Sequence, residues 1–173
     1  MPTVIIRPDA STSSTGFDQS GANLVSRIND NDTGTFVINT NSTSEFVVEF
    51  NNDNAYSGAT INNVVVSITG NTINSKVSEL GVEVVLRDGS SSLQSSTLTF
   101  TPTESTESGA AYSTSLTPSV VDAFVVAVSP AAVGIVIKEV FITVDYTAAA
   151  VASSAYLTFS EGKITLPSGK VTI

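Results

Sequence analysis

The side chains that most often carry enzyme chemistry are missing from this chain. It contains no His and no Cys, which excludes histidine acid–base catalysis, thiolate nucleophiles, disulfides and cysteine-type zinc sites. A Ser–Lys pair is present at Ser75 and Lys76. Its neighbours are polar, so nothing is expected to desolvate the lysine and activate the serine. We predict that the chain is not an enzyme.

Carboxylates are the remaining groups with catalytic potential, because a pair of them can cleave a glycosidic bond. No aromatic platform for a sugar accompanies them, since Trp is absent and the four Tyr are scattered. We interpret them as solvated surface acids on predicted turns, a loop or single strand faces: Glu83, Asp88, Glu104, Glu107 and Asp122.

Two clusters of Asn and Asp, at 29–32 and 51–54, supply the hard oxygen ligands that Ca²⁺ prefers. In the first cluster Asp30 and Asp32 alternate, and they are the candidate calcium ligands. The cluster lacks the mid-loop Gly and the downstream Glu of an EF-hand loop, and Asx residues also occupy turns for backbone reasons. The sequence predicts no cofactor, and no metal beyond this candidate pair.

The charge balance is acidic, because sixteen Asp and Glu against seven Lys and Arg give a net charge of -9. Binding to nucleic acid needs clustered basic residues that release counterions, and acidic proteins are repelled by anionic membranes. We therefore expect neither nucleic acid nor a membrane as a partner. The acid excess either keeps copies apart until they assemble or serves solubility.

Apolar residues alternate with polar ones along most of the chain, which is the period of a half-buried β-strand. Between 44 and 50, for example, Phe46 and Val48 face one way while Glu45 and Glu49 face the other. The strand at 134–146 is expected to be central, because both of its faces are partly apolar. Other strands are predicted at 3–7, 35–39, 59–69, 80–87, 93–101 and 120–128, a helical turn at 22–28, and polar connections at 9–20 and 103–119.

This pattern predicts an all-β fold, an antiparallel β-sandwich that is jelly-roll-like or immunoglobulin-like, with a short C-terminal β-meander. We place an N-terminal arm and first strand at 1–20, the β-sandwich domain at 21–147, and a C-terminal linker with the meander or an arm at 148–173. The last boundary rests on composition, since every Asn lies at or before Asn74 and the final segment carries two Lys against one Glu.

Three stretches carry a likeness to a known group of proteins: Met1–Asp9, Ile28–Val37 and Ile135–Thr147. Over residues 1–147 they resemble small β-sandwich virion structural proteins of tailed bacteriophages, of the marine and cyanobacterial type. The resemblance implies a non-enzymatic virion component, either a capsid-decoration or knob protein or a tail-accessory protein. Such a protein would fold in the host cytoplasm, reside in the virion and contact the major capsid or tail protein.

Anchoring would use the terminal segments, because a free strand edge can pair with a neighbouring chain. The opposite possibility is that both ends pair within their own sheet. We also expect a homo-oligomer. The candidate interface residues are Val4, Ile5, Ile6, Leu157, Phe159, Ile164, Val171 and Ile173.

Two other functions stay open on the sequence. One is a carbohydrate-binding or host-attachment sandwich module, against which the missing aromatic platform counts. The other is a bacterial surface or pilus-type subunit, which would need an export signal that residues 1–8 do not resemble.

Overall fold

The structure, a computed structural model, describes residues 2–18, 24–29, 34–41, 44–50, 56, 58–73, 79–114, 116–149, 158–160 and 163–165. Two helical turns interrupt the strands, α1 (Val25–Ile28) and α2 (Pro118–Val121). No helix among these residues is long and apolar enough to cross a membrane. In chain order the strands are β1 (Thr3–Ile6), β2 (Ala10–Thr15), β3 (Phe17–Asp18), β4 (Val37–Asn39), β5 (Glu45–Glu49), β6 (Thr60–Thr72), β7 (Leu80–Asp88), β8 (Ser91–Phe100), β9 (Ser105–Ser108), β10 (Phe124–Pro130), β11 (Ile135–Thr147), β12 (Thr158–Ser160) and β13 (Lys163–Thr165).

The strands form an antiparallel β-sandwich, which confirms the predicted fold class. One sheet has six strands in the order β3-β4-β11-β6-β9, with β1 also paired to β11. The other has five strands in the order β2-β5-β10-β7-β8. Between 158 and 165, β12 and β13 pair as a hairpin, while the third segment of the predicted meander lies outside the described residues.

The pairing identifies the topology that the sequence left open. Strand β4 pairs with β11, β5 with β10, β6 with β9, and β7 with β8. These nested pairs alternate between the two sheets, as in a jelly roll, where one long antiparallel ribbon is wound around the core. The immunoglobulin-like alternative is therefore excluded.

The core lies between the sheets and follows the predicted alternation. Phe46 and Val48 on β5 are fully buried, and Glu45 and Glu49 on the same strand are half-exposed. Packing of large side chains from both sheets supplies most of the favourable free energy of such a fold. The largest fully buried side chains include Phe46, Phe50, Phe100 and Phe124.

Strand β11 is central, as predicted, but its two faces are not the predicted ones. The register against β6 shifts between Ile137 and Glu139, so Lys138 is an extra residue in a β-bulge. The extra residue reverses which side chains face the core. Ile137 and Val140 both lie in the core, whereas strict alternation would put Ile137 on the same face as Glu139. The core face of β11 therefore draws on both parities, with Ile135 and Ile137 before the bulge and Val140, Ile142 and Val144 after it.

Three other predictions differ from the structure. The strand predicted at 120–128 begins only at Phe124, because Thr117 caps the N-terminus of α2 and Pro118 favours its first turn. Strand β6 does not end before Gly70 but continues to Thr72. The polar connection at 103–119 contains β9, which pairs with β6.

Residues 2–18 contribute to both sheets. Strand β1 pairs with β11, β2 pairs with β5, and β3 pairs with β4. The described part of the segment 9–20, which was expected to be a loop or arm, thus consists largely of strands. Of the three apolar side chains in β1, Ile6 is buried and Val4 is half-buried against the core, while Ile5 is 52% exposed.

Candidate functional site

Of the five carboxylates with catalytic potential, three have a described side-chain partner: Glu83, Glu104 and Asp122. Glu83 accepts a hydrogen bond from the Ser95 hydroxyl at 3.0 Å, and Glu104 forms an ion pair with Lys138. Within the described residues there is no group of three or more His, Cys, Asp or Glu that could hold a metal ion. The predicted calcium ligands Asp30 and Asp32 lie outside the described residues, as do the 51–54 cluster and the Ser–Lys pair at 75–76.

An acid-lined depression of about 280 Å³ opens where β5 ends and β10 begins. We call it the acidic depression. Two carboxylates line it, and no basic side chain is among the described lining residues. Its described lining consists of Glu49, Phe50, Asp122, Ala123, Phe124 and Val125.

Strand pairing brings the two sides of the acidic depression together. Glu49 is the Cα partner of Val125 in the β5–β10 ladder, and the Phe50 N–H donates to the Phe124 carbonyl oxygen at 3.1 Å. Phe50 and Phe124 turn their rings into the core and are almost fully buried. The ladder therefore fixes the backbone of the depression, but no aromatic ring of these two residues is open to a ligand.

A buried tyrosine holds the second carboxylate. The Tyr56 hydroxyl donates to Asp122 Oδ1 at 2.8 Å, and Tyr56 is only 2% exposed. Its ring lies 6.5 Å from that of Tyr146, measured between centroids, so the donor itself is held by packing. The Asp122 N–H also donates to the Pro118 carbonyl oxygen at the C-terminal cap of α2. Asp122 is consequently held at its carboxylate by Tyr56 and at its backbone by α2. Glu49, in contrast, forms no side-chain hydrogen bond or ion pair with any described residue.

The base on β7, the strand next to β10, is already engaged. Arg87 is the partner of Val125 in the β7–β10 ladder, and its guanidinium forms a 3.9 Å ion pair with Glu45. No basic residue of the described lining therefore neutralises the carboxylates of the acidic depression. A ligand that enters meets hydrogen-bond acceptors and negative charge.

A second surface lies on the outer side of the six-stranded sheet. We call it the β1 face and define it by Ile5, Val65, Phe141 and Thr143, which occupy neighbouring positions on β1, β6 and β11. Ile5 is well exposed and the other three are half-exposed. Next to Phe141, the hydroxyls of Ser67 and Ser108 lie 2.8 Å apart across β6 and β9.

The predicted interface residues are only partly placed by the structure. Ile5 lies on the β1 face, while Val4 and Ile6 point toward the core of their own chain. Phe159 and Ile164 are Cα partners in the β12–β13 hairpin. Leu157, Val171 and Ile173 lie outside the described residues. Their role in an interface stays a prediction.

Comparison with known proteins supports the fold but does not assign a function. No family model matches the sequence, and no curated protein is similar to it. Among solved structures, the chain is similar to the C-terminal CBM6, a carbohydrate-binding module, of LamC, a marine laminarinase from Zobellia galactanivorans. The TM-score is 0.51 at 14% identity, and the match covers 83% of this chain and 98% of that one. The module is a β-sandwich, and at this identity the likeness shows the fold alone.

Proposed function

We propose that this chain is a non-catalytic carbohydrate-binding module that holds the end of a glycan in the acidic depression. The observation that carries the proposal is an open concavity with one carboxylate, Asp122, fixed by buried Tyr56 and a second, Glu49, without a described side-chain partner. Support for the class of function comes from the fold, since a solved structure that it resembles is a carbohydrate-binding module.

The chemistry of the depression suits sugar hydroxyls. A hydroxyl that donates to an ionised carboxylate forms a charge-assisted hydrogen bond, worth about 1.5–3 kcal/mol. Ala123 and Val125 offer small apolar contacts for the C–H edges of a sugar ring. The volume lies near the lower end of the ~300–1,000 Å³ that small-ligand sites occupy, so we expect one or two sugar units to be held.

Two features set the expected affinity and selectivity. Because neither phenylalanine of the depression exposes its ring, stacking does not contribute, and we expect a Kd of roughly 0.1–1 mM. Because the described lining has two carboxylates and no base, uronate and sulfated glycans should be rejected in favour of neutral or amino sugars.

Calorimetric titration of the full chain with neutral, amino-sugar and uronate oligosaccharides tests the proposal. Glu49→Gln and Asp122→Asn should each weaken binding about tenfold, which corresponds to 1.4 kcal/mol. The asparagine variant keeps an acceptor for Tyr56, so the fold is preserved. Glu79→Gln is the matched control, because Glu79 is exposed and precedes β7, roughly 30 Å along that strand from the depression. Binding that is unchanged in both site variants would contradict the proposal, as would the absence of binding to every glycan.

The second candidate is the virion structural role that the resemblance implies. The β1 face favours it, because Ile5 and Phe141 leave an apolar strip on a sheet face where a larger assembly can dock. Mass spectrometry of purified phage particles tests this function directly. A fixed copy number per particle is expected, and particles without the protein would refute it.

A further inference from the structure

Strand β8 forms an open edge of the five-stranded sheet. It runs for ten residues, and among the described strands it pairs only with β7. Within the described part of the chain, no backbone hydrogen bond joins its other side to any residue. Alternate N–H and C=O groups of β8 therefore point outward in the plane of the sheet.

This edge lacks the devices that usually prevent strand addition. Edge strands are commonly blunted by Lys or other charges, by Pro or by short length. Strand β8 contains no charged residue and no Pro, and its one irregularity is the register shift that leaves Leu93 as an extra residue near its start. Seven residues from Gln94 to Phe100 remain regular, which is roughly 23 Å of strand.

The other edges differ in this respect. Strand β9 carries Glu107, β3 ends with Asp18, and β1 is followed by Arg7. Strand β2, at the opposite edge of the same sheet, has no charge, but its six residues are interrupted by a register shift between Ser11 and Ser13. The chain carries a net charge of -9, so acidic residues on an edge strand would repel a second copy. Among the described edges, β8 has the longest regular stretch without a charged residue.

The inner side of β8 is held in place, so the edge is presented as a rigid strand. Leu98 and Phe100 are buried in the core, and the Ala110 N–H donates to Ser96 Oγ at 3.0 Å. On the outer side, Ser95, Thr97 and Thr99 are exposed small hydroxyl residues that leave room for a neighbouring backbone. The backbone of β8 is therefore already ordered before it pairs, which lowers the entropic cost of association.

We infer that two copies of this chain associate by antiparallel pairing of their β8 strands, which joins two five-stranded sheets into one. A strand that pairs antiparallel with its own copy lies on a twofold axis, so the contact is self-complementary and closes as a dimer. Pairing of β8 with β2 of the next copy would be head-to-tail and would grow without closing. The length and regularity of β8 favour the closed arrangement.

Sedimentation velocity of the full chain over a concentration series tests this inference, and it does not depend on glycan binding. The wild type should sediment with twice the chain mass of 17.8 kDa and dissociate on dilution. Thr97→Lys should raise the dimer dissociation constant at least tenfold, because it places a cation on the edge of both copies. Thr103→Lys, at an exposed position beyond the end of β8, is the control and should leave the dimer intact.

Hydrogen exchange adds a readout that locates the contact. Outward amides of β8 should exchange more slowly in the wild-type dimer than in the Thr97→Lys monomer, while core amides of both should be equally protected. The inference is overturned if the wild type stays monomeric at about 1 mM, if Thr97→Lys dimerises as well as the control, or if the mass rises without limit.

Discussion

The fully buried Asn39 ties the end of β4 to the loop between β10 and β11. Its Nδ2 donates to the Ala132 carbonyl oxygen at 2.7 Å and to that of Asn41 at 3.3 Å. Its Oδ1 accepts from the Ile135 N–H at 2.7 Å, in a fully buried bond. One side chain thus satisfies backbone groups on both sides of the turn that leads into the central strand.

Replacing Asn39 by Ala should destabilise the protein by about 2–4 kcal/mol. Each short hydrogen bond contributes about 1 kcal/mol, and the orphaned Ile135 N–H adds a desolvation penalty of about 1–3 kcal/mol. For a protein of this size the melting temperature should fall by about 5–15 °C. Urea unfolding should show a lower midpoint with an unchanged m-value, which is the signature of a change in stability alone.

Asn39→Asp separates the hydrogen bonds from the loss of volume. The carboxylate keeps an acceptor for the Ile135 N–H, but its other oxygen replaces the donor to the Ala132 carbonyl oxygen. Burial should raise the pKa of the new carboxyl. A raised pKa in the folded state means that the folded state binds the proton more tightly, so this variant should gain stability relative to wild type as pH falls from 7 to about 4. Asn63→Ala, which removes a half-exposed 3.2 Å hydrogen bond to Asp145, is the control and should cost less than about 1 kcal/mol. If Asn39→Ala is no worse than this control, the reasoning is refuted.

Three further outcomes are expected from single substitutions. Gly70→Ala should lower the free energy of unfolding by at least about 2 kcal/mol, because the new Cβ would lie 2.5 Å from the Val136 carbonyl oxygen. If thermal or urea unfolding shows no loss, the backbones do not approach so closely at the bulge. Thr117→Ala should cost about 1 kcal/mol and Thr117→Ser much less, since only the hydroxyl caps α2; equal losses for both would argue against the cap. Phe100→Ala should cost about 3–5 kcal/mol in the same assay, and a loss below 1 kcal/mol would place this side chain outside the core.

The sequence predicts the strands whose alternation is undisturbed. Strand β5 is one example, because Phe46 and Val48 need only the period of two to face the core. Strand β11 shows the limit of that rule, since the bulge at Lys138 reverses the alternation and a bulge leaves no periodic signal. Gly70 illustrates the same limit: the bulged backbone approaches it closely, and from sequence alone it predicts a turn.

Local signals explain other differences. Thr117 is an N-cap residue and Pro118 is favoured at the first position of a helix, so the sequence contains a signal for the start of α2. The apolar run that follows favoured a strand instead. The acidic depression could not be predicted, because Glu49 and Asp122 are far apart in the chain and meet only through the β5–β10 pairing. From the sequence, Asp122 was predicted only to be a surface acid, and no pattern indicated that it lies in the same site as Glu49.

Glycan binding in the acidic depression can be tested at the level of single residues. The most direct measurement is a nitrogen–proton NMR titration of the full chain with the neutral oligosaccharide that binds best by calorimetry. We predict that chemical-shift changes concentrate on the backbone amides of Glu49, Phe50 and 122–125. With glycan at the wild-type Kd, these changes should be about fivefold smaller in Asp122→Asn, as expected for a tenfold weaker Kd. Changes concentrated on the β1 face, or no changes with any glycan, would contradict it.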